Sequence, residues 1–295
     1  MDVSVIIVNY NTLELTKACI DSVFAKTEGL LFEVILVDND SSDGSVEYFK
    51  QDKRIRFVEA RANLGFGKAN NLGLQQAKGK YVFFLNSDTI LVNNAIKLFY
   101  DYCESNKQCK LGAVGCILED SEGNHVHSFG NFPTKYTIVK GFFDSFFRIV
   151  SGETKCIEGQ NIATAEQDVD YVTGADIFVN RQVVEKCGCF DSDFFMYFED
   201  TEMQKRWSRN GYVNRIICAP RIVHLEGSST DNKKNVFNER KLYMVLKSQQ
   251  IYFKKTEPTL GYILYRIVAF LYLLPVVRLK YNFSQAKNIL RILIG

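Results

Sequence analysis

Residues 3–8 (VSVIIV) are apolar at almost every position, the pattern of a β-strand covered on both faces rather than one. Runs of the same kind follow at 32–37, 55–58 and 81–85. Between them, residues 12–25 place Leu13, Cys19, Ile20, Val23 and Phe24 on one side of a helix that Asn11 or Thr12 can cap, and 45–50 and 68–77 predict two more helices. Strands alternating with helices at this spacing predict right-handed crossovers and an α/β fold with a mostly parallel central sheet flanked by helices. Beyond residue 97 the alternation loosens. Residues 119–133 have the look of a hairpin, and the aromatic run 142–150 reads as a loop packed over a site. Residues 169–180 predict a strand carrying Gly174, 181–186 a short helix, 199–210 a helix ended by Gly211, and 213–218 a last strand.

Ligands of such sheets bind beyond the carboxyl ends of the strands, and the polar clusters of this chain fall there. Asn86-Ser87-Asp88 follows YVFFL; a carboxylate delivered into a polar crevice suits a hard divalent cation bridging a diphosphate, although Asn-Ser-Asp is also common turn chemistry. Asp38-Asn39-Asp40 ends the second strand, where acidic and amide groups can meet a base or ribose, or simply form a turn before the next helix. Residues 63–70 (NLGFGKAN) carry Gly65 and Gly67 at a helix start without the spacing of a Walker loop or a dinucleotide fingerprint. Glu199-Asp200 follows FFMYF; apolar surroundings raise a carboxyl's pKa toward general-base chemistry, while a helix start favours its anion. His224 follows a strand and can complete a metal shell or serve as a hydrogen-bonded core group; His125 and His127 on the apparent hairpin receive no role.

An apolar fraction of 46% provides for a sizeable core, and 295 residues allow one large domain with an appendage. The net charge of +2 conceals an asymmetry: from Lys241 onward nine Lys or Arg face the single acid Glu257, about +8 against about −6 for the rest. This basic charge lies in an apolar tail and not along a polar groove, so nucleic acid is not expected as a partner. The eight cysteines form no C-x-x-C or zinc pattern; Cys19, Cys116 and Cys218 sit in apolar runs that predict buried, reduced thiols. The opening residues show no basic leader and cleavage site, and the expected location is cytoplasmic.

Taken in order, VSVIIVNYN, VILVDNDSSDGS, NLGFGKANNLGL, FLNSD, VTGA and YFEDTEMQKR, with His224 after them, resemble the family-two glycosyltransferases of the GT-A (nucleotide-diphospho-sugar transferase) fold, in particular their rhamnosyltransferase-like branch. The resemblance runs from about Val3 to Ser229. It implies a dTDP- or UDP-sugar donor held by Tyr10, Asp38, Asn39, Asn63, Gly65, Asn70 and Asn86. Mg²⁺ or Mn²⁺ would sit on Asp88 and His224, with Asp200 as general base and Glu199 beside it. Asn86 departs from the usual first Asp of the metal motif, which removes one charge from the metal shell. One acceptor-side carboxylate implies a single displacement that inverts the anomeric centre.

The chain divides by composition into residues 1–235, the transferase domain, and 236–295, a basic, apolar helical extension. Within the extension Arg266 and Pro275 interrupt the apolar stretch, and its charge-free core at 267–277 is shorter than the ~20 residues of a spanning helix. With basic residues throughout 254–291, it reads as a helix lying in the interface of the inner face of the cell membrane. The alternative is a packing element or a contact between copies of the chain. The membrane reading implies a saccharide acceptor linked to lipid, within cell-surface polysaccharide synthesis. Two rivals stand beside it: a catalytically silent, membrane-associated assembly protein that binds nucleotide-sugar, and a nucleotidyltransferase. The turn Asn9-Tyr10-Asn11-Thr12 after the first strand lacks the Gly- and basic-rich loop of the latter.

Overall fold

The computed structural model of the protein describes residues 1–134, 136–137, 165–225 and 239–280, with side chains of the last segment described to residue 271. The run 142–150 lies outside the described residues. Those described fall into two compact units, one of residues 1–131, 165–195 and 199–225, the other of 132–134, 136–137, 196–198 and 239–280.

The first unit is built on strands β1 (Val3–Asn9), β2 (Phe32–Asp38), β3 (Arg56–Glu59) and β4 (Tyr81–Asn86), with helices α1 (Leu13–Lys26), α2 (Ser45–Phe49) and α3 (Phe66–Leu74) between them. After β4 come β5 (Thr89–Leu91), α4 (Ala95–Ser105), β6 (Leu111–Glu119), β7 (Phe129–Gly130), β8 (Gln167–Val169), β9 (Tyr171–Val172) and β10 (Asp176–Asn180). Helices α5 (Arg181–Cys187) and α6 (Glu199–Arg209) and the long β11 (Val213–His224) complete it. The sheet order is β3-β2-β1-β4-β10-β6-β11-β5, with β8 on β11 and a separate β7-β9 ribbon.

The parallel part expected from the alternation is β3-β2-β1-β4, with Asn9 opposite Asp38 and Val8 opposite Asn86, so three polar strand ends meet at one edge. Beyond β4 the sheet is mixed: β10 runs antiparallel to β4 and β6, and β11 runs parallel to β6. The continuous strand expected over 169–180 is instead broken into β9, a turn at Gly174 and β10. Because β10 is reversed, that turn comes to the same edge as the carboxyl ends of β1 and β4: the Asn86 amide donates to the Ala175 carbonyl at 2.9 Å. The expected hairpin over 119–133 exists only near its turn, with Glu119 bridging His125 and Val126 N donating to Leu118 O. Its far arm pairs with β9 instead.

Alternate residues of the central strands face opposite cores, which is why their sequences are apolar throughout. Val5, Ile7 and Phe83 pack with Cys19, Ile20, Val23 of α1 and Phe99 of α4. On the other face Ile6, Val37 and Phe84 pack with Ala69 of α3, Phe190, and Met203 and Trp207 of α6. Thr12 does not cap α1 through its side chain, and Asn11 takes φ of 55° and turns its Oδ1 to Ser42 N. Asn9 fills the role: its Oδ1 accepts from Thr12 N, Thr12 Oγ1 and Thr16 Oγ1. Cys19 and Cys116 are buried thiols as expected; Cys218, expected buried, is exposed on β11.

In the second unit, α7 (Glu239–Thr256) and α8 (Thr259–Lys280) contact one another through stacked Phe253 and Tyr265, 4.4 Å between centroids, and a bond from Tyr265 Oη to Gln249 Oε1. Tyr197 and Phe198 hold left-handed backbone (φ 72° and 66°), and Ser248 Oγ donates to the Met196 carbonyl. Helix α8 continues through Pro275, which does not end the helix. Leu260, Ile263, Leu264, Ile267 and Leu271, spaced along one side of it, are exposed. Among the described residues no helix is long and apolar enough to cross a membrane.

Candidate active site

The triplet at the end of β4 divides its tasks. Asp88 is 5% exposed, and its Oδ1 lies 3.2 Å from Nε2 of His224. That meeting is made by backbone pairing: β5 runs antiparallel to the end of β11, setting His224 opposite Thr89, and Leu225 N donates to the Asp88 carbonyl. Ser87 contacts Thr12 Oγ1 at 3.3 Å, and the Asn86 carbonyl accepts from Thr89 Oγ1, so the turn is held from within while the Asn86 side chain stays half-buried.

One carboxylate oxygen and one imidazole nitrogen this close fit a divalent ion that accepts mixed O and N ligands, Mn²⁺ better than Mg²⁺. Among the described residues no third His, Cys, Asp or Glu joins them. The remaining positions would fall to water and phosphate oxygens.

Asp38 is fully buried, with Oδ2 accepting from Asn9 Nδ2 at 2.7 Å and Oδ1 from Ser41 N at 2.9 Å. Each oxygen makes one bond to the protein, which fixes the carboxylate at the shared end of β1 and β2 and leaves it further acceptor capacity. Asn39 is similarly enclosed and ties β2 to the glycine loop, accepting from Leu64 N and donating to Asn63 Oδ1. Asn63 Oδ1 also takes Gly65 N, and Asn70 Nδ2 donates to the Phe66 carbonyl. Tyr10, 44% exposed, leaves its ring open to solvent.

Gly65 is required by geometry. Its φ is 80°, and a Cβ there would lie 2.1 Å from the Phe195 carbonyl oxygen, which accepts from Phe66 N at 3.0 Å. This single bond links the loop before α3 to the lead into α6.

At the start of α6, Asp200 is held by three donors: Thr201 N and Thr201 Oγ1 on Oδ1, and Gly174 N on Oδ2 at 2.8 Å. Burial pushes its carboxyl above the usual range, and these donors, with the charge of His127, oppose the rise. Glu199 is 5% exposed and its Oε2 has no hydrogen-bond partner; burial first, then the charge of Asp200, raise its pKa to about 8. Burial thus raises both carboxyls of the pair, and the charge of Asp200 adds to the rise of Glu199.

Two residues escaped the sequence. Asp176 is fully buried, donates no charge to solvent, and has a pKa raised to about 7 by burial, with Cys116 N bonded to Oδ2 and the charge of His224 opposing. An acid interrupting the apolar run ADIFV was its signal. His127, exposed, acts on Asp200 across the turn that holds it.

The structure thus brings a carboxylate–imidazole pair at the end of β4 and, through the turn at Gly174 and Ala175, the Asp200 carboxylate to the same edge of the sheet. The chain belongs to glycosyl transferase family 2, which it matches over residues 4–155. It is a glycosyltransferase of the GT-A fold. An N-acetylglucosaminyl-diphospho-decaprenol L-rhamnosyltransferase of Mycobacterium tuberculosis is 24% identical over 212 residues, 67% of each protein. The O-antigen biosynthesis protein RfbC of Myxococcus xanthus is 28% identical over 77% of this chain but only 17% of its own length. In three dimensions the chain is similar to GalNAc-T7 with UDP, GalNAc and Mn²⁺ (TM-score 0.59, 16% identity, 86% of this chain and 48% of that one). It is also similar to the mannosyltransferase PcManGT of Pyrobaculum calidifontis in complex with GDP-Man and Mn²⁺ (0.57, 17%, 99% and 84%).

Proposed function

We propose that the protein transfers a sugar, with inversion, from a dTDP- or UDP-sugar to a hydroxyl of a lipid-linked saccharide in cell-surface polysaccharide synthesis, rhamnose being the favoured sugar. The observation that carries the site assignment is the 3.2 Å approach of Asp88 and His224 at the edge where Asp200 is held by Gly174. Mn²⁺ or Mg²⁺ bound there would neutralise charge on the departing diphosphate. Asp88 and His224 would hold the ion; Tyr10, Asp38, Asn39, Asn63, Gly65, Asn70 and Asn86 shape the donor side. Neutral Asn86 lowers the charge of the metal shell, so metal affinity rises when donor phosphates are present.

Asp200 takes the proton of the acceptor hydroxyl as it attacks the anomeric carbon. The names of the mycobacterial relative and of RfbC support the choice of rhamnose, of a diphospholipid-linked acceptor and of polysaccharide synthesis. In this reading residues 1–235 form the transferase domain. Residues 254–291 rest on the cytosolic face of the membrane, supported by the exposed apolar side of α8 and the basic residues around it.

Asp200→Asn should keep donor affinity, read by calorimetry, while turnover falls by roughly 10² or more. Turnover near that of the unaltered protein would remove Asp200 from this role.

A further inference from the structure

Tyr197 and Phe198, which lead into the Glu199-Asp200 pair, hold left-handed backbone with φ of 72° and 66°. Neither is glycine, so each conformation costs energy that surrounding structure has to supply. What they precede gives that strain its meaning. Helix α6 starts at Glu199, and the direction in which the chain enters the helix sets where the Asp200 carboxylate stands.

The chain is fixed on both sides of the pair. Before it, the Phe195 carbonyl accepts from Phe66 N at 3.0 Å. After it, Gly174 N and Thr201 N bond the Asp200 carboxylate. The pair itself belongs with the C-terminal helices: residues 196–198 fall in the second unit, although their neighbours on either side fall in the first. Two side chains of α7, four residues apart, make that connection. Ser248 Oγ donates to the Met196 carbonyl at 2.7 Å, on the peptide that leads into Tyr197, and the Tyr252 ring lies 5.5 Å from that of Phe198, between centroids. Both side chains are buried, so water does not stand in for either contact. Helix α7 is itself held against α8 by the Phe253–Tyr265 stack and the bond from Tyr265 to Gln249.

We propose that Ser248 and Tyr252 are positioning residues for Asp200, an inference that rests on the reading of Asp200 as the base. They act through the backbone of residues 196–198. The hydrogen bond before the pair and the ring packed on its second member keep both residues left-handed. Without these contacts the pair relaxes toward ordinary backbone, the entry into α6 turns, and the carboxylate leaves its line to the acceptor hydroxyl. A displacement of about 1 Å suffices to slow the chemical step.

The test measures turnover of the full-length protein with metal, donor and acceptor saturating. Ser248→Ala and Tyr252→Leu should each lower kcat roughly three- to ten-fold, the range of one lost hydrogen bond or ring contact. Donor Kd, read by calorimetry, should be unchanged. Ser248→Thr and Tyr252→Phe keep the hydroxyl and the ring, and should keep kcat. A general loss of structure would not produce the next result: in the Asp200→Asn background, Ser248→Ala should cost nothing further, because a misplaced base and a missing one are the same loss. Unreduced kcat in both Ser248→Ala and Tyr252→Leu, or a fall matched by weaker donor binding, overturns the assignment. The Asp200→Asn background separates the two readings. If Asp200→Asn alone turns over normally, the fault lies with the base; if it is slow and Ser248→Ala slows it as much again, the fault lies with the positioning.

Discussion

Asp176 offers a direct measure of how dry the site's foundation is. Its carboxyl is fully buried, with one oxygen bonded to Cys116 N at 2.7 Å and the other, Oδ1, without a hydrogen-bond partner, and burial lifts its pKa from 3.8 to about 7. Between these values the folded protein holds a proton that the unfolded chain has released, so stability is greatest below 3.8, declines as pH rises, and levels off above 7. Three units at about 1.4 kcal/mol each make a penalty of about 4 kcal/mol at alkaline pH. Asp176→Asn keeps the shape and an acceptor for Cys116 N but removes the titration. Its stability relative to the unaltered protein should therefore improve by roughly 2–3 kcal/mol from pH 5 to pH 8, whatever fixed offset the amide introduces. Urea unfolding followed by circular dichroism, with a chelator present so that no ion adds its own field, reads the difference. A gap between the two proteins that stays constant from pH 5 to 8 would refute the account of Asp176 as a neutral buried acid.

Other consequences are as direct. His224→Ala would remove one of the two protein ligands proposed for the ion, and Mn²⁺ affinity should drop by at least the ~10–100-fold typical of losing even an outer partner, as titrated by electron paramagnetic resonance. Gly65→Ala forces a side chain against the Phe195 carbonyl from a left-handed backbone; donor Kd should rise about ten-fold or more, equivalent to ~1.4 kcal/mol, in a calorimetric titration. Trp207→Ala empties a fully buried site and releases the bond from Nε1 to the Gly188 carbonyl; denaturant unfolding should show a loss of about 3–5 kcal/mol.

The parallel strands were legible because their residues are apolar on both faces, and the ends at Asn9, Asp38 and Asn86 followed from counting to where those runs stop. What lay beyond was long-range pairing. Nothing in residues 169–180 announces a break at Gly174, since Tyr171-Val172 and Ile177 to Val179 read as one apolar strand; in the fold β9 pairs with β7 in a separate ribbon, β10 joins the main sheet, and Gly174 N between them bonds Asp200. Asp88 and His224 were each visible, but the antiparallel pairing of three residues of β5 with the end of β11 decides that they touch. The bond from Asn9 Nδ2 that fixes the Asp38 carboxylate was hidden for a related reason: it depends on which strand lies beside β2.

The change of direction between β4 and β10 also marks a seam for recombination. On one side lie the strands and loops proposed to shape the donor side and the turn proposed to carry the metal, within the 4–155 stretch matched to the family. On the other, the turn at 173–175 and helix α6, which present Asp200, lie outside that stretch. Swapping the second block among relatives, with Ala175 O kept available to Asn86 N and the Phe195 carbonyl to Phe66 N, is a route to enzymes that keep one donor and accept different saccharides. Two backbone hydrogen bonds are then the splice sites a chimera must respect.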